Sequence, residues 1–367
     1  MAAARPLVTV MFAALLALAS PAAPASASPS GTSPATPALH VQGNGLVDAS
    51  GHPVVLRGVN RSGSEYMCLG GGSIFDGPSD AASLAAIRSW RTNAVRVPLN
   101  EDCWLGINGV PASTSGGAYQ AAIRDYVGLL EQNGLYPILD LHWSAPGSTV
   151  ANNQQPMPDS DHAPAFWSSV ASAFRGDDAV ILDLFNEPYP DYLDDSTAGW
   201  TCWRDGGTCT GVAFDVAGMQ LLVNTVRATG ATNVIALGGL GWSNFLDQWL
   251  TFKPSDPLNA LVAAWHTYDF AMCQTTDCLD ATVAPVAAQV PVLAAEIGDD
   301  QCDATFMNTI MGWLDAHQIG YLTWAWDVWG QRYGDPDSCA SFALIRDYAG
   351  TPTTYGAIFK THLAQLP

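Results

Sequence analysis

Positive charge is scarce in this chain. In 367 residues, 14 lysines and arginines stand against 34 aspartates and glutamates, for a formal net charge of -20. Nucleic acids are bound largely by neutralising phosphates with cations, so this balance argues against such a partner. It argues equally against anionic membrane surfaces and polyanionic substrates, and it is compatible with a neutral polymer. Zinc signatures are missing too, since there is no C-x2-C pair and no cluster of histidines. No G-x-G-x-x-G follows an early strand, which weakens a doubly wound nucleotide-binding sheet. No apolar run after the N-terminus is long enough to span a bilayer. No Ser/Pro/Thr-rich linker appears beyond residue 38, so residues 39–367 read as one domain.

The N-terminus does carry a signal. Arg5, the short apolar stretch from Leu7 to Leu18 and the small-residue site Ala25-Ser-Ala27 form a secretory signal peptide over residues 1–27. Residues 28–38 follow as a flexible Ser/Pro/Thr leader. The expected location is therefore extracellular. Eight cysteines, an even number in an exported chain, favour disulfides over metal. Eight cysteines allow 105 connectivities. Cys202–Cys209 and Cys273–Cys278 are the short loops, which leaves Cys68–Cys103 and Cys302–Cys339. With 48% hydrophobic and 13% charged residues the chain has ample material for a core. Its 13 tryptophans belong mostly to that core, with stacking on sugar rings as a second use.

Eight continuous apolar runs punctuate the sequence, at 54–58, 94–98, 136–141, 179–184, 233–237, 261–266, 292–296 and 320–324. Continuous rather than alternating runs fit strands buried on both faces. Helical patterns lie between them, for example over 81–90, 119–133, 163–175, 212–229 and 303–317. Eight β/α units in this length predict an α/β fold of the (β/α)8 TIM-barrel type. Residues 39–51 carry two turn signals and read as a small β-hairpin capping the bottom of the barrel.

Two of the runs end on a glutamate. Ile181-Leu-Asp-Leu-Phe-Asn-Glu-Pro188 leads to Glu187, and Val290-Pro-Val-Leu-Ala-Ala-Glu-Ile-Gly298 leads to Glu296. A buried carboxylate at a strand end is costly unless paired or used. A pair of them points to glycoside hydrolysis, the reaction built around two carboxyl groups. The other strand ends gather Arg96, His142, Trp143, Asn186, His266, Tyr268 and the group Trp324, Trp326 and Trp329. A barrel enzyme carries its active site at that end. A retaining mechanism needs carboxyls about 5–5.5 Å apart, one neutral and one charged. Arg96 and the Tyr268 hydroxyl are placed to hold Glu296 ionised, while burial and that charge push Glu187 towards its protonated form.

These motifs resemble glycoside hydrolase family 5, the former cellulase family A. The resemblance rests on Leu56-Arg-Gly-Val-Asn60 as the first-strand motif and on Asn186-Glu-Pro188 with the later Glu296-Ile-Gly298. It implies that Glu187 is the acid/base and Glu296 the nucleophile. It implies supporting roles for Arg96, His142, Asn186, His266, Tyr268 and Trp326, with Trp324 as the neighbouring choice. The segments 61–80 and 200–210 depart from the commonest cellulase pattern, which bears on the substrate. The expected activity is a secreted retaining endo-β-1,4-glucanase, a cofactor-free monomer acting on a neutral β-linked polysaccharide or oligosaccharide. Another β-glycanase (mannanase, other β-glucanase, chitosanase) or an exo-acting glycosidase is the alternative. Two other classes are weighed: a metal-dependent barrel hydrolase using Asp140, His142, His266 and Glu296, and a non-catalytic carbohydrate-binding protein. The second would have lost a glutamate. The acidic loop 191–195 is a weak candidate for a structural cation.

Overall fold

Eight strands close into a barrel in which every neighbour pair is parallel and sequential. They are β1 (Arg57–Asn60), β2 (Ala94–Asn100), β3 (Tyr136–Trp143), β4 (Ile181–Asp183), β5 (Ile235–Gly238), β6 (Leu261–Tyr268), β7 (Val292–Gly298) and β8 (Gly320–Thr323). The computed structural model describes residues 1–2 and 36–367. The signal expected over 1–27 and most of the leader expected over 28–38 lie outside the described residues. Among the described residues, no helix is long and apolar enough to cross a membrane.

Every residue of β2 and β7 is buried, as continuous apolar runs require. Helices return the chain to the start of each next strand. They include α1 (Ala81–Arg88), α2 (Gly117–Gln132), α3 (Ala163–Ala173), α4 (Met219–Ala228), α5 (Ala304–Ala316) and α6 (Thr354–Gln365). Side-chain caps fix several starts: Asp80 accepts from the Ser83 amide, and Thr353 from the Gly356 amide. The strand expected at 54–58 begins three residues later, because Val54 bonds back to Leu46 in the hairpin at 2.9 Å. The helix expected from 212 starts at Met219, because Asp215–Ala217 pairs antiparallel with Gly206–Thr208.

Two apolar layers build the core. One lies between barrel and helices. The other fills the barrel interior with Leu56, Ala94, Ile138, Ile181, Ala236, Ala264, Leu293, Ala295 and Leu322. Leu39 and Leu46 from the hairpin Leu39–Gln42/Gly45–Asp48 belong to that same cluster and close it from below. All four disulfides, Cys68–Cys103, Cys202–Cys209, Cys273–Cys278 and Cys302–Cys339, join segments that follow the ends of barrel strands, with Cys103, Cys202 and Cys278 in short helices there.

Candidate active site

Alternation along each strand carries the interior from apolar to polar. Ala94, Ile138 and Ile181 sit in the interior cluster, and two residues on, the same face presents Arg96, Asp140 and Asp183. Arg96 is fully buried and reaches in every direction: Nε donates to Asp183 at 2.9 Å, Nη1 to Asn60 at 3.1 Å and to Glu296 at 2.7 Å, and Nη2 to Asn186 at 3.0 Å. Nη2 also lies 3.0 Å from Asp140. Burial works against the guanidinium charge, but Asp140, Asp183 and Glu296 more than offset it and keep Arg96 protonated. Burial raises Asp140 and Asp183 to about 7 each, with Arg96 opposing. One guanidinium thus serves three carboxyl groups.

Glu296 owes its direction to an irregularity. Ala295 faces the interior, so strict alternation would send the next side chain outward towards the helices. Between β6 and β7 the register slips by one residue: Trp265 pairs with Ala294, but His266 pairs with Glu296. This bulge returns Glu296 to the interior. There its second oxygen accepts from the Tyr268 hydroxyl at 2.5 Å. Burial and the charge of Glu296 raise Tyr268 well above the usual phenol value, so it stays a donor.

Glu187 stands past the end of β4 on a residue with φ of 51°, in the left-handed region that non-glycine residues rarely occupy. The Asn186 amide anchors this turn on the Leu141 carbonyl at 3.0 Å, and Gln154 donates to the Glu187 carbonyl at 3.1 Å. His266 Nδ1 lies 3.0 Å from one Glu187 oxygen and 3.7 Å from Glu296. Burial lowers His266 to about 3, so the ring is neutral. Burial raises Glu187 to about 6. One oxygen of Glu187 and one of Glu296 lie within 4.8 Å of each other and of the His266 ring nitrogen.

The two carboxyl groups open into a cleft of about 520 Å³. Its walls include His142, Asn186, Trp242, Phe270, Met272, Trp324 and Phe342. His142 is fixed by Asp140, 2.6 Å from Nδ1, and its ring stacks on Trp324 at 5.2 Å and 8°. Across the cleft, Tyr189 stacks on Trp242 at 4.6 Å and 16°. Phe270 and Met272 are exposed at the rim, at 65% and 69%. Flat aromatic faces around paired carboxyls suit the binding of sugar rings.

The family model described as Cellulase (glycosyl hydrolase family 5) matches residues 47–330. The chain belongs to glycosyl hydrolase family 5. It is therefore an O-glycosyl hydrolase, and its relatives include both glucan- and mannan-degrading enzymes. It is 24% identical over 328 residues to a mannan endo-1,4-beta-mannosidase of Salipaludibacillus agaradhaerens, covering 86% of this chain and 88% of that one. It is also 24% identical over 341 residues to an endoglucanase of Streptomyces lividans, covering 89% of this chain and 64% of that enzyme. A beta-glucanase of Saccharophagus degradans in complex with cellotetraose shares the fold, with a TM-score of 0.67 at 19% identity over 90% of this chain and 94% of that one.

The family 5 barrel gathers Glu187, Glu296, Arg96, His142, Asn186, His266 and Tyr268 around one point. Trp326 is not among them. It is fully buried against Trp90, with ring centroids 4.8 Å apart, and Trp324 stands in the cleft instead. The regular part of β8 ends at Thr323, and beyond it the Ala325 amide bonds to the Phe342 carbonyl in a loop while the Trp326 amide bonds back to Asn60, so strict alternation does not run on to residue 326. Trp143 lies outside the cleft walls, 6.1 Å from Tyr66. Arg96 is the third residue of β2 rather than its end, and Glu296 lies within β7 rather than at its close. The four residues weighed as metal ligands do not form one group: Asp140 faces Arg96 and His142, whereas His266 and Glu296 face Glu187. Asn60, which begins an N-glycosylation sequon, is fully buried and donates to the Ala295 carbonyl at 2.9 Å. Asp191 and Asp195 are engaged by Ser196 and Trp200.

Sequence reasoning missed Asp183 and Glu65 as members of the site's support. Asp183 was visible as a charge inside an apolar run. Glu65, 2% exposed, holds the turn after β1 by accepting from Ser62 and from the Gly63 amide. Phe270, Met272 and Phe342 had no sequence signal, because loop residues follow no period.

Proposed function

We propose that this family 5 enzyme is a retaining endo-β-1,4-glucanase, exported and active as a monomer on a neutral polysaccharide. The observation that carries the mechanism is the approach of Glu187 and Glu296 to within 4.8 Å. That spacing suits retention, because inverting enzymes hold the carboxyls about 6.5–9.5 Å apart to admit a water.

In the first step the Glu296 carboxylate attacks the anomeric carbon while Glu187 gives its proton to the departing oxygen. The bond to the leaving sugar breaks and a covalent glycosyl ester forms on Glu296. Arg96 and Tyr268 orient the carboxylate, and neutral His266 keeps the two carboxyls apart without adding charge. Once Glu296 is esterified its negative charge is gone, so Glu187 loses its proton more readily. It then takes a proton from water, which attacks the ester and releases the sugar with its configuration retained. Asn186, held by Arg96, is placed to bond a sugar hydroxyl beside the reacting carbon.

Export is supported by the signal-like residues 1–27 and by four disulfides, a frequent feature of secreted proteins. The glucan reading is supported by likeness over 90% of the chain to the beta-glucanase bound to cellotetraose. A mannanase is the second reading, favoured by similarity along 88% of the Salipaludibacillus mannosidase. A product profile on soluble β-glucans, mannan, xylan and chitosan, with Glu296→Ala as control, tests both. Oligosaccharides from β-1,4-glucan alone support the proposal, and products from mannan alone replace it with the second reading. Turnover of small glycosides only would refute endo action.

A further inference from the structure

The two halves of the cleft differ in character. The stacked pair His142 and Trp324 comes from β3 and β8, which flank β1 and β2 in the closed barrel. The loops after β4, β5 and β6 build the other half. Glu187 belongs to that half. The chain runs on from it to Tyr189 and Leu193, and the Trp242 amide donates to the Pro188 carbonyl at 3.2 Å. Glu187 is proposed to protonate the departing oxygen, so the leaving group departs into this half.

Its surface is more apolar than a sugar requires. Leu193, Ala271 and Met272 line it beside Trp242 and Phe270, and Leu193, Phe270 and Met272 stand exposed. Tyr192, also exposed, sets its ring edge-on to Trp242, with centroids 4.8 Å apart at 85°. The amide side chains on this side are engaged in holding the loops. Gln154 donates to the Glu187 carbonyl at 3.1 Å. Asn244 donates to the carbonyls of His266 and Cys273 at 2.8 and 3.2 Å and accepts from the Cys273 amide at 2.7 Å. A sugar placed there would bring hydroxyls with few partners in the protein. An alkyl group brings none and gains by leaving water. Gathered exposed apolar side chains of this kind mark binding sites. The backbone beneath them is strained as well. Gly241, Trp242 and Ser243 have φ of 57°, 57° and 59°, three consecutive residues in the left-handed region. Such strain collects where a ligand is held. Here it accompanies the Trp242 ring in the wall of the cleft.

We infer that the leaving-group half of the cleft receives an alkyl aglycone, so that the enzyme also hydrolyses β-glycosides of long-chain alcohols. The inference rests on the roles proposed for Glu187 and Glu296. The glycosidic C–O bond breaks, the Glu187 proton passes to the alcohol oxygen, and the sugar passes to Glu296 and then to water. Trp242 supplies a flat face for the chain, and Leu193 and Met272 supply flexible aliphatic contacts that a ring of hydroxyls would not use.

The test compares methyl and octyl β-cellobiosides, and methyl and octyl β-mannobiosides, each below its micelle concentration. Binding to the inactive Glu296→Ala variant is measured by calorimetry, and release of the alcohol by the wild-type enzyme is measured alongside. The two alcohols are of similar acidity, so a preference between them reports the chain and not the chemistry of departure. Burying about two methylenes is enough for about tenfold tighter binding of the octyl glycoside, with kcat/KM raised in the same direction. In the Glu296→Ala background, Leu193→Asn and Met272→Asn, at exposed side chains that the fold tolerates, should together bring the octyl-to-methyl ratio towards one. Equal affinities, no measurable binding of either octyl glycoside, or a preference that survives both substitutions would overturn the inference. Octyl preference in binding without turnover by the wild-type enzyme would support it and count against the roles given to Glu187 and Glu296. Turnover without octyl preference would overturn it and leave those roles standing.

Discussion

Replacing Glu187 with glutamine isolates the proton it is proposed to deliver. The side chain keeps its size and loses its titration. Burial raises Glu187 from 4.5 to about 6. That difference corresponds to about 2 kcal/mol of penalty on the charged form. The wild-type enzyme would therefore hold the acid roughly nine-tenths protonated at pH 5 and about one-tenth at pH 7. Because cleavage needs the protonated form, kcat/KM should fall as pH rises through about 6, by about tenfold per unit beyond it. In Glu187→Gln that falling limb should vanish. Activity on polysaccharide, whose leaving group needs a proton, should drop about 10²–10⁴-fold. Cleavage of an aryl glycoside with an acidic phenol should lose far less, because that group departs unprotonated. The assay is kcat/KM against pH for both substrates and both proteins. A limb that persists near pH 6 in Glu187→Gln, or equal losses on the two substrates, would refute the assignment.

Glu296→Ala should abolish turnover of every substrate, and azide should restore it with a product of inverted configuration, read by NMR; absence of rescue would count against Glu296 as nucleophile. Tyr268→Phe removes one hydrogen bond to a charged group, worth about 1.5–3 kcal/mol, so kcat/KM should fall between about ten- and 150-fold without loss of fold. Opening Cys302–Cys339, which spans 37 residues, should lower unfolding free energy by about 4 kcal/mol, against about 2 kcal/mol for Cys273–Cys278, which spans 5; urea titration of the paired Cys→Ser variants measures both.

The barrel was legible because each strand is a continuous apolar run covered on both faces, and all eight runs became strands. The boundaries were less so: Val54 is apolar enough for β1 but is drawn into the hairpin by the Leu46 carbonyl. Glu187 and Glu296 were legible as carboxylates at the ends of buried runs. The reason Glu296 faces inward was not, because a bulge is a relation between two strands and leaves no mark in one of them. Asp183 carried a signal that went unused, a charge at an interior-facing position. Trp326 was expected in the cleft from the family resemblance, with Trp324 as the neighbouring choice, and the irregular backbone after Thr323 puts Trp324 there and buries Trp326. The loop-borne walls, Phe270, Met272 and Phe342, depend on how three separate segments fold over one another.

The placement of the four disulfides divides the molecule into two kinds of order. The barrel and its helices are held by burial, and no cysteine joins their lower half. The cleft walls are loops that turn Phe270 and Met272 to solvent rather than into the core, and Cys273–Cys278 and Cys302–Cys339 link the segments beside them. Under reducing conditions the groove would lose the links that shape it, and the whole fold would lose the stability that each link adds. The shape of the cleft is in this sense a property of the oxidising surroundings as much as of the sequence.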